Sequence, residues 1–144
     1  MDSYTKNIEI RWSDLDPNFH LRHSVYYDFG AYCRICFLSD AGATPAVMMQ
    51  QQIGPIIFRE EAVFRKEIHF GDTVHVNILL DKCNADYSSW TMKHEIYKNN
   101  NILAAIITID GAWIDTSLRK LTKPGDLFAE ALALIPKTTS FFIF

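Results

Sequence analysis

Arg11-Trp12-Ser13-Asp14-Leu15-Asp16-Pro17-Asn18-Phe19-His20-Leu21-Arg22-His23-Ser24-Val25-Tyr26 is where one periodicity stops and another starts. Leading into it, residues 6–13 alternate, with Ile8, Ile10 and Trp12 on one side and Asn7, Glu9 and Arg11 on the other. That is the period of a half-buried strand, and Pro17 and Asn18 break it. Beyond it, Val25, Phe29, Tyr32, Cys33, Cys36 and Phe37 recur at helical spacing, so a helix runs from Ser24 to about Asp40 with Ser24 or His23 near its N-cap. Tyr26, Tyr27, Ala31, Ile35 and Leu38 fill most of the other positions, and a helix apolar on so many sides is buried in a sheet or at a subunit contact. The loop between the two elements delivers Asp16 to the helix N-terminus, where backbone N–H groups lack intrahelical partners. A carbonyl oxygen can be polarised there while an acid or base works beside it.

Working outward, Gly42, Ala43, Thr44 and Pro45 end the helix, and a shorter helix covers Ala46 to Gln52. The rest reads as strands. Arg59 to Phe70 is one extended stretch, and Gly71-Asp72 turns it into Thr73–Leu80, where Val74, Val76, Ile78 and Leu80 share a face. Lys82 to Tyr87 is a loop. Ser89–Lys98 carries Trp90, Met92, His94 and Ile96 on one face, and Asn99-Asn100-Asn101 is a turn. Ile102 to Ile114 is so uniformly apolar that it belongs at the centre of a sheet, covered on both sides. Thr122-Lys123-Pro124 opens a last helix running to about Leu134, with Pro124 in its first turn. One strand, one long buried helix and four consecutive antiparallel strands make a single α+β domain over residues 1–144, a curved antiparallel sheet wrapped round the helix.

The chain has 144 residues and a net charge of −3, which suits one globular domain and gives no basic stripe for nucleic acid. Cys33 and Cys36 form a CxxC with Cys83 left over, and no second CxxC or spaced His pair completes a zinc knuckle. Lying in a helical pattern beside Ile35 and Phe37, they read as small buried side chains in a reducing compartment rather than a redox pair. Met1–Lys6 has no apolar core of signal-peptide type and no window approaches a membrane span, so a cytoplasmic protein with no membrane partner is expected. The apolar end, Phe141-Phe142-Ile143-Phe144, is expected to pack on the domain or a neighbouring subunit.

The element order, with Asp16 in the turn before the long helix, resembles the hotdog fold, and more closely the 4-hydroxybenzoyl-CoA thioesterase-like branch of acyl-CoA thioesterases. That branch typically reads Asp-x-x-Gly-His-Val-Asn-Asn-x-x-Tyr. Here Asp16, Pro17, His20 and Tyr26 fall in register and Asp14 matches a frequent earlier Asp, while Phe19 replaces the Gly and Arg22-His23 the Asn pair. Gly71-Asp72 matches a recurrent turn between long strands. The resemblance covers the chain to about residue 115. It implies hydrolysis of an acyl-CoA thioester without metal or organic cofactor, Asp16 acting as nucleophile or as general base for water. By the same resemblance, the backbone N–H of His23 polarises the thioester oxygen. It also implies a homodimer or dimer of dimers with the active site between subunits, so that Asp16 of one protomer faces strand residues of the other.

Each residue has a plainer role to set beside this. Asp before Pro-Asn also suits a simple turn. Asp14 reads as structural. Phe19, His20 and Tyr26 are expected to line the substrate pocket, with Phe19 narrowing it, whereas Phe29 and Tyr32 are expected in the core. His20 and His23 lack a third ligand, so no metal is expected. Ser88, Ser89 and Trp90 are substrate-binding candidates by resemblance. Arg59, Arg65, Lys66, Lys82, Arg119 and Lys120 are candidate contacts for the phosphates of coenzyme A, and Arg22 a loop charge. Two other readings share the fold: a non-catalytic module binding acyl-CoA or acyl-carrier protein, favoured by Phe19 and His23, and a dehydratase pairing His20 with Asp28.

Overall fold

The helix expected from Ser24 forms as α1, Val25–Asp40, in the computed structural model, which describes residues 3–144. Val25, Tyr26, Phe29, Cys33 and Phe37 turn inward and are buried, each large side chain contributing about 1.5–3 kcal/mol by leaving water. Tyr32, expected in the core, is 48% exposed, so one stripe of the helix stays open in the single chain. Preceding it are β1 (Thr5–Ile8) and a single 3-10 turn over Trp12–Asp14. Following it are α2 (Pro45–Gln51), β2 (Ile53–Phe64), β3 (Val74–Asn77), β4 (Leu79–Cys83), β5 (Ser89–Lys98), β6 (Ile102–Asp115), β7 (Lys120–Leu121), α3 (Asp126–Ala133) and β8 (Lys137–Ile143).

These strands make one curled sheet, antiparallel except where β8 runs parallel to β4. β6 lies between β5 and β2, the central place that its apolar run implies. β3 and β4 continue one another along the far side of β5, and β1 pairs with β3. The strands after α1 are therefore not paired consecutively: β2 crosses to the opposite edge and pairs with β6. Two close approaches hold the layers. A Cβ at Gly111 on β6 would lie 2.3 Å from Trp90 Cη2, and one at Gly30 on α1 would lie 2.9 Å from His94 Cδ2. His94 is fully buried. Its Nδ1–H donates to the Asn77 carbonyl (2.7 Å) and its Nε2 accepts from Arg34 Nη1 (3.0 Å), a tautomer fixed by arginine being a donor only. Burial and the Arg34 charge push this imidazole down to about 3.

Several boundaries differ from the periodicity reading, each for a local reason. The first strand stops at Ile8, and Trp12 is 75% exposed on the 3-10 turn that the Arg11–Asp14 pair stabilises. β2 runs from residue 53 to 64 rather than 59 to 70, and just past its end the N–H groups of Arg65 and Lys66 converge on one carbonyl of β6, that of Ala104, which breaks the regular alternation of the ladder. The stretch expected as Thr73–Leu80 divides at Ile78, and its second half continues through Lys82 and Cys83, which were expected in a loop. α3 begins at Asp126, after Gly125 at φ +80, so Pro124 lies outside its first turn. The apolar C-terminus packs on the domain as β8, with Phe142 opposite Lys82 of β4. Asn99 and Asn100 take positive φ (+48 and +77), a conformation asparagine tolerates, and turn β5 into β6 as expected.

Candidate active site

Asp16 closes a tight turn. Its Oδ1 accepts the N–H groups of Asn18 (2.9 Å) and His20 (3.2 Å), and its own N–H donates to the His20 carbonyl (2.8 Å). The Asx turn that Asp-Pro-Asn favours has formed, yet it uses one carboxylate oxygen: no described residue donates to Oδ2. The turn thus fixes the carboxylate and leaves half of it free. Asp14 is structural, as expected. Buried beneath the loop, it receives the Arg11 N–H (2.9 Å), Nε (3.3 Å) and Nη2 (2.9 Å). Burial opposes its charge, but the Arg11 hydrogen bonds outweigh that and hold the carboxyl below its usual range. Arg22 reaches back to the Ser13 carbonyl (2.7 Å), so it clamps the loop rather than lying free in solvent.

The start of α1 is uncapped. Ser24 is the N-cap, but its hydroxyl accepts from Arg22 Nε (3.0 Å) and makes no cap hydrogen bond. The His23 N–H donates to no described residue. Partial positive charge therefore collects at an open helix end. Asp16, His20, His23 and Tyr26 border one cleft of about 340 Å³, closed on the other side by residues 64–67. Tyr26 is buried, with Phe64 edge-on at 5.0 Å, and burial pushes its phenol upward, so it is a neutral wall. Arg65 and Lys66 are the cations here. Arg59 instead pairs with Glu61, and Lys82 lies over Phe142.

Other candidates lie elsewhere. Phe19 is 62% exposed, its ring against Trp12, and it does not border the cleft. It also adopts φ +64, the left-handed region in which the related motif has glycine and where another residue is strained. Ser88 is engaged by its own turn, donating to Asp86 Oδ1 (2.6 Å) and accepting from Asn84 Nδ2 (2.8 Å). Ser89 and Trp90 border a second cleft with Lys82 and Asp110, and Trp90 is also a wall of an apolar cavity of about 210 Å³ beside Arg34. Within one chain none of the three reaches Asp16. Asp28 lies in a separate depression with Arg11 and Tyr32, away from His20, so the dehydratase pair is not assembled. Cys33, Cys36 and Cys83 are free thiols, and burial pushes Cys33 up to about 12.

Sequence reasoning did not single out Glu67 or the Arg34–His94 pair. Arg34 carried a signal, a lone cation inside an otherwise apolar helix. Glu67 carried none, because its segment read as strand.

A family model for the thioesterase-like superfamily matches residues 10–133. Solved structures share the fold at low identity. A DHNA-CoA thioesterase from Staphylococcus aureus is 20% identical, with TM-score 0.82 over 92% of this chain and 90% of that one. A 1,4-dihydroxy-2-naphthoyl-CoA thioesterase from Synechocystis is 15% identical, with TM-score 0.80 over 92% and 96%. A hypothetical protein from Staphylococcus aureus, solved in complex with CoA, is 16% identical, with TM-score 0.83 over 92% and 82%. Comparison with curated proteins returned no match. Among the described residues no helix is long and apolar enough to cross a membrane.

Proposed function

The chain belongs to the thioesterase-like superfamily, and from that premise we propose that it hydrolyses an acyl-CoA thioester. Asp16 either attacks the thioester carbonyl, forming a mixed anhydride that water then cleaves to free acid and carboxylate, or takes a proton from a water that attacks the carbonyl directly. The carbonyl oxygen, gaining negative charge, is held by the His23 N–H, a donor of a kind worth about 3 kcal/mol. The thiolate of coenzyme A leaves. The observation that carries this reading is the pairing, in one cleft, of a carboxylate with a free oxygen and a helix end whose own N-cap serine is turned away. Arg65 and Lys66, on the wall opposite Asp16, are the cations placed to meet the phosphates of the substrate.

The active form in this proposal is a homodimer. Among the described residues β2 is a 12-residue strand paired on one side only, by β6, and Ile57, Phe58, Val63 and Phe64 along it are exposed. A long apolar edge of this kind is a template for another strand. Two-fold pairing of β2 with its copy runs antiparallel, so the Phe64 end of one protomer approaches the Ile53 end of the other. That geometry is what lets strand residues distant from Asp16 within one chain serve the partner's cleft. The binding-only reading rests on Phe19 and His23; against it, Phe19 takes the left-handed conformation itself and the turn closes regardless, and the proposed reaction asks only for the backbone N–H of His23.

Thiol release from a panel of aromatic, short-chain and long-chain acyl-CoAs tests the reaction. Turnover of at least one is the expected result. Tight binding without release from any of them would overturn hydrolysis in favour of a binding module.

A further inference from the structure

Three side chains meet beside the Asp16 turn that neither the turn nor the proposed hydrolysis uses. His20 and His69 face each other across an antiparallel backbone bridge, with the Leu21 N–H donating to the Ile68 carbonyl at 2.7 Å. Residues opposed in this way carry their Cβ atoms about 5 Å apart. Their rings stand edge to face at 5.0 Å. Glu67 enters between them, its Oε2 at 3.3 Å from His20 Nε2 and 3.8 Å from His69 Nε2. One ligand atom from each of the three lies within 4.8 Å of the others.

The geometry points to a binding site for a divalent transition metal of the zinc class, held by His20, Glu67 and His69. Two imidazoles and one carboxylate suit Zn²⁺ and its nitrogen-loving neighbours and do not suit Mg²⁺ or Ca²⁺. Ligand atoms around tetrahedral zinc, at bonds of about 2.0–2.1 Å, stand about 3.4 Å from one another. The His20–Glu67 separation already meets that spacing, and the His69–Glu67 separation exceeds it by a few tenths of an ångström. Three protein ligands leave the fourth position to water or another donor, the pattern of an open site.

A carboxylate for the second layer stands nearby, short of a hydrogen bond to the ring. Metal-bound histidines are typically oriented by a carboxylate at the other ring nitrogen. Here His69 Nδ1 lies 3.9 Å from Asp72 Oδ2, the same oxygen that accepts the His69 backbone N–H at 2.9 Å. Asp72 is itself held by Asn99 Nδ2 (3.1 Å). Lys98 Nζ donates to the Glu67 carbonyl and fixes that residue's backbone. Pairing His20 with its neighbour His23 left no third ligand; the fold supplies two from another segment. Occupancy would set a dication in the wall of the Asp16 cleft, which His20 and Glu67 both border.

The test uses the full chain stripped with chelator and titrated with Zn²⁺ by calorimetry, with Mg²⁺ as the comparison metal. Binding does not depend on hydrolysis, so the measurement stands whether or not the chain turns over a thioester. Saturable uptake of one Zn²⁺ per chain, without uptake of Mg²⁺, is expected. Glu67→Gln and Asp72→Asn should each weaken it by roughly tenfold or more, and His69→Asn should remove it, while His75→Asn, at a β3 histidine stacked on Tyr97 and outside the cluster, binds as the unmodified chain does. Glu67 and His69 are exposed side chains, and circular dichroism verifies that the variants fold. Absence of saturable Zn²⁺ uptake, or uptake left unchanged by Glu67→Gln and His69→Asn, would overturn the site.

Discussion

Acid should destabilise this protein through one imidazole. His94 is completely buried between α1 and the sheet, and its folded pKa is pushed from 6.5 to about 3 by burial and by Arg34. In the unfolded chain the ring takes its proton near pH 6.5. Between pH 6.5 and 3 the unfolded state therefore binds more protons, so this contribution is fully present above 6.5 and is lost as pH falls. At up to about 1.4 kcal/mol per pH unit, the loss from about pH 7.5 to about pH 5 is about 2 kcal/mol, a large share of a domain's 5–15 kcal/mol. His94→Asn keeps an amide N–H for the Asn77 carbonyl and removes the titrating group, at the cost of leaving Arg34 without its ring acceptor. Urea unfolding followed by tryptophan fluorescence at a series of pH values, unmodified chain against variant, isolates the term, because carboxylates such as Asp14 and Asp72 titrate alike in both. The stability advantage of the unmodified chain should shrink by about 2 kcal/mol over that interval. Parallel pH profiles for the two proteins would refute the reasoning.

Two further outcomes follow from the loop and the sheet edge. Phe19→Gly should stabilise the chain by up to about 1 kcal/mol, since the ring is exposed and φ is +64; a lower urea midpoint would show that its contact with Trp12 matters more than the backbone. Phe58→Lys combined with Val63→Lys places two charges on the exposed faces of β2 and should give a monomer in sedimentation, with hydrolysis lost; an unchanged dimer would remove β2 from the interface.

The elements that carry the site were legible because their signals were local. The change of period across Pro17-Asn18 and the N-cap serine placed α1 within one residue of its start, and the apolar run of β6 placed the sheet's centre. What was not legible depended on partners distant in sequence. β2 ends at Phe64, where Arg65 and Lys66 share the Ala104 carbonyl of β6, and residues 64–67 border the cleft with Asp16. Ser24 reads as a cap from its type, but the clamp from Arg22 redirects it. Phe19 read as a bulky intruder in a glycine position; its backbone follows the glycine conformation and its ring leaves the cleft.

The most direct measurement is the turnover of Asp16→Asn on the best acyl-CoA of the panel. Asparagine retains a side-chain oxygen to accept the Asn18 and His20 N–H groups, so the turn and the cleft should persist while the nucleophile or base is lost. A fall in kcat of roughly 100-fold or more, with KM little changed, is expected for removal of such a group. Equal kcat in the two proteins would take Asp16 out of the chemistry.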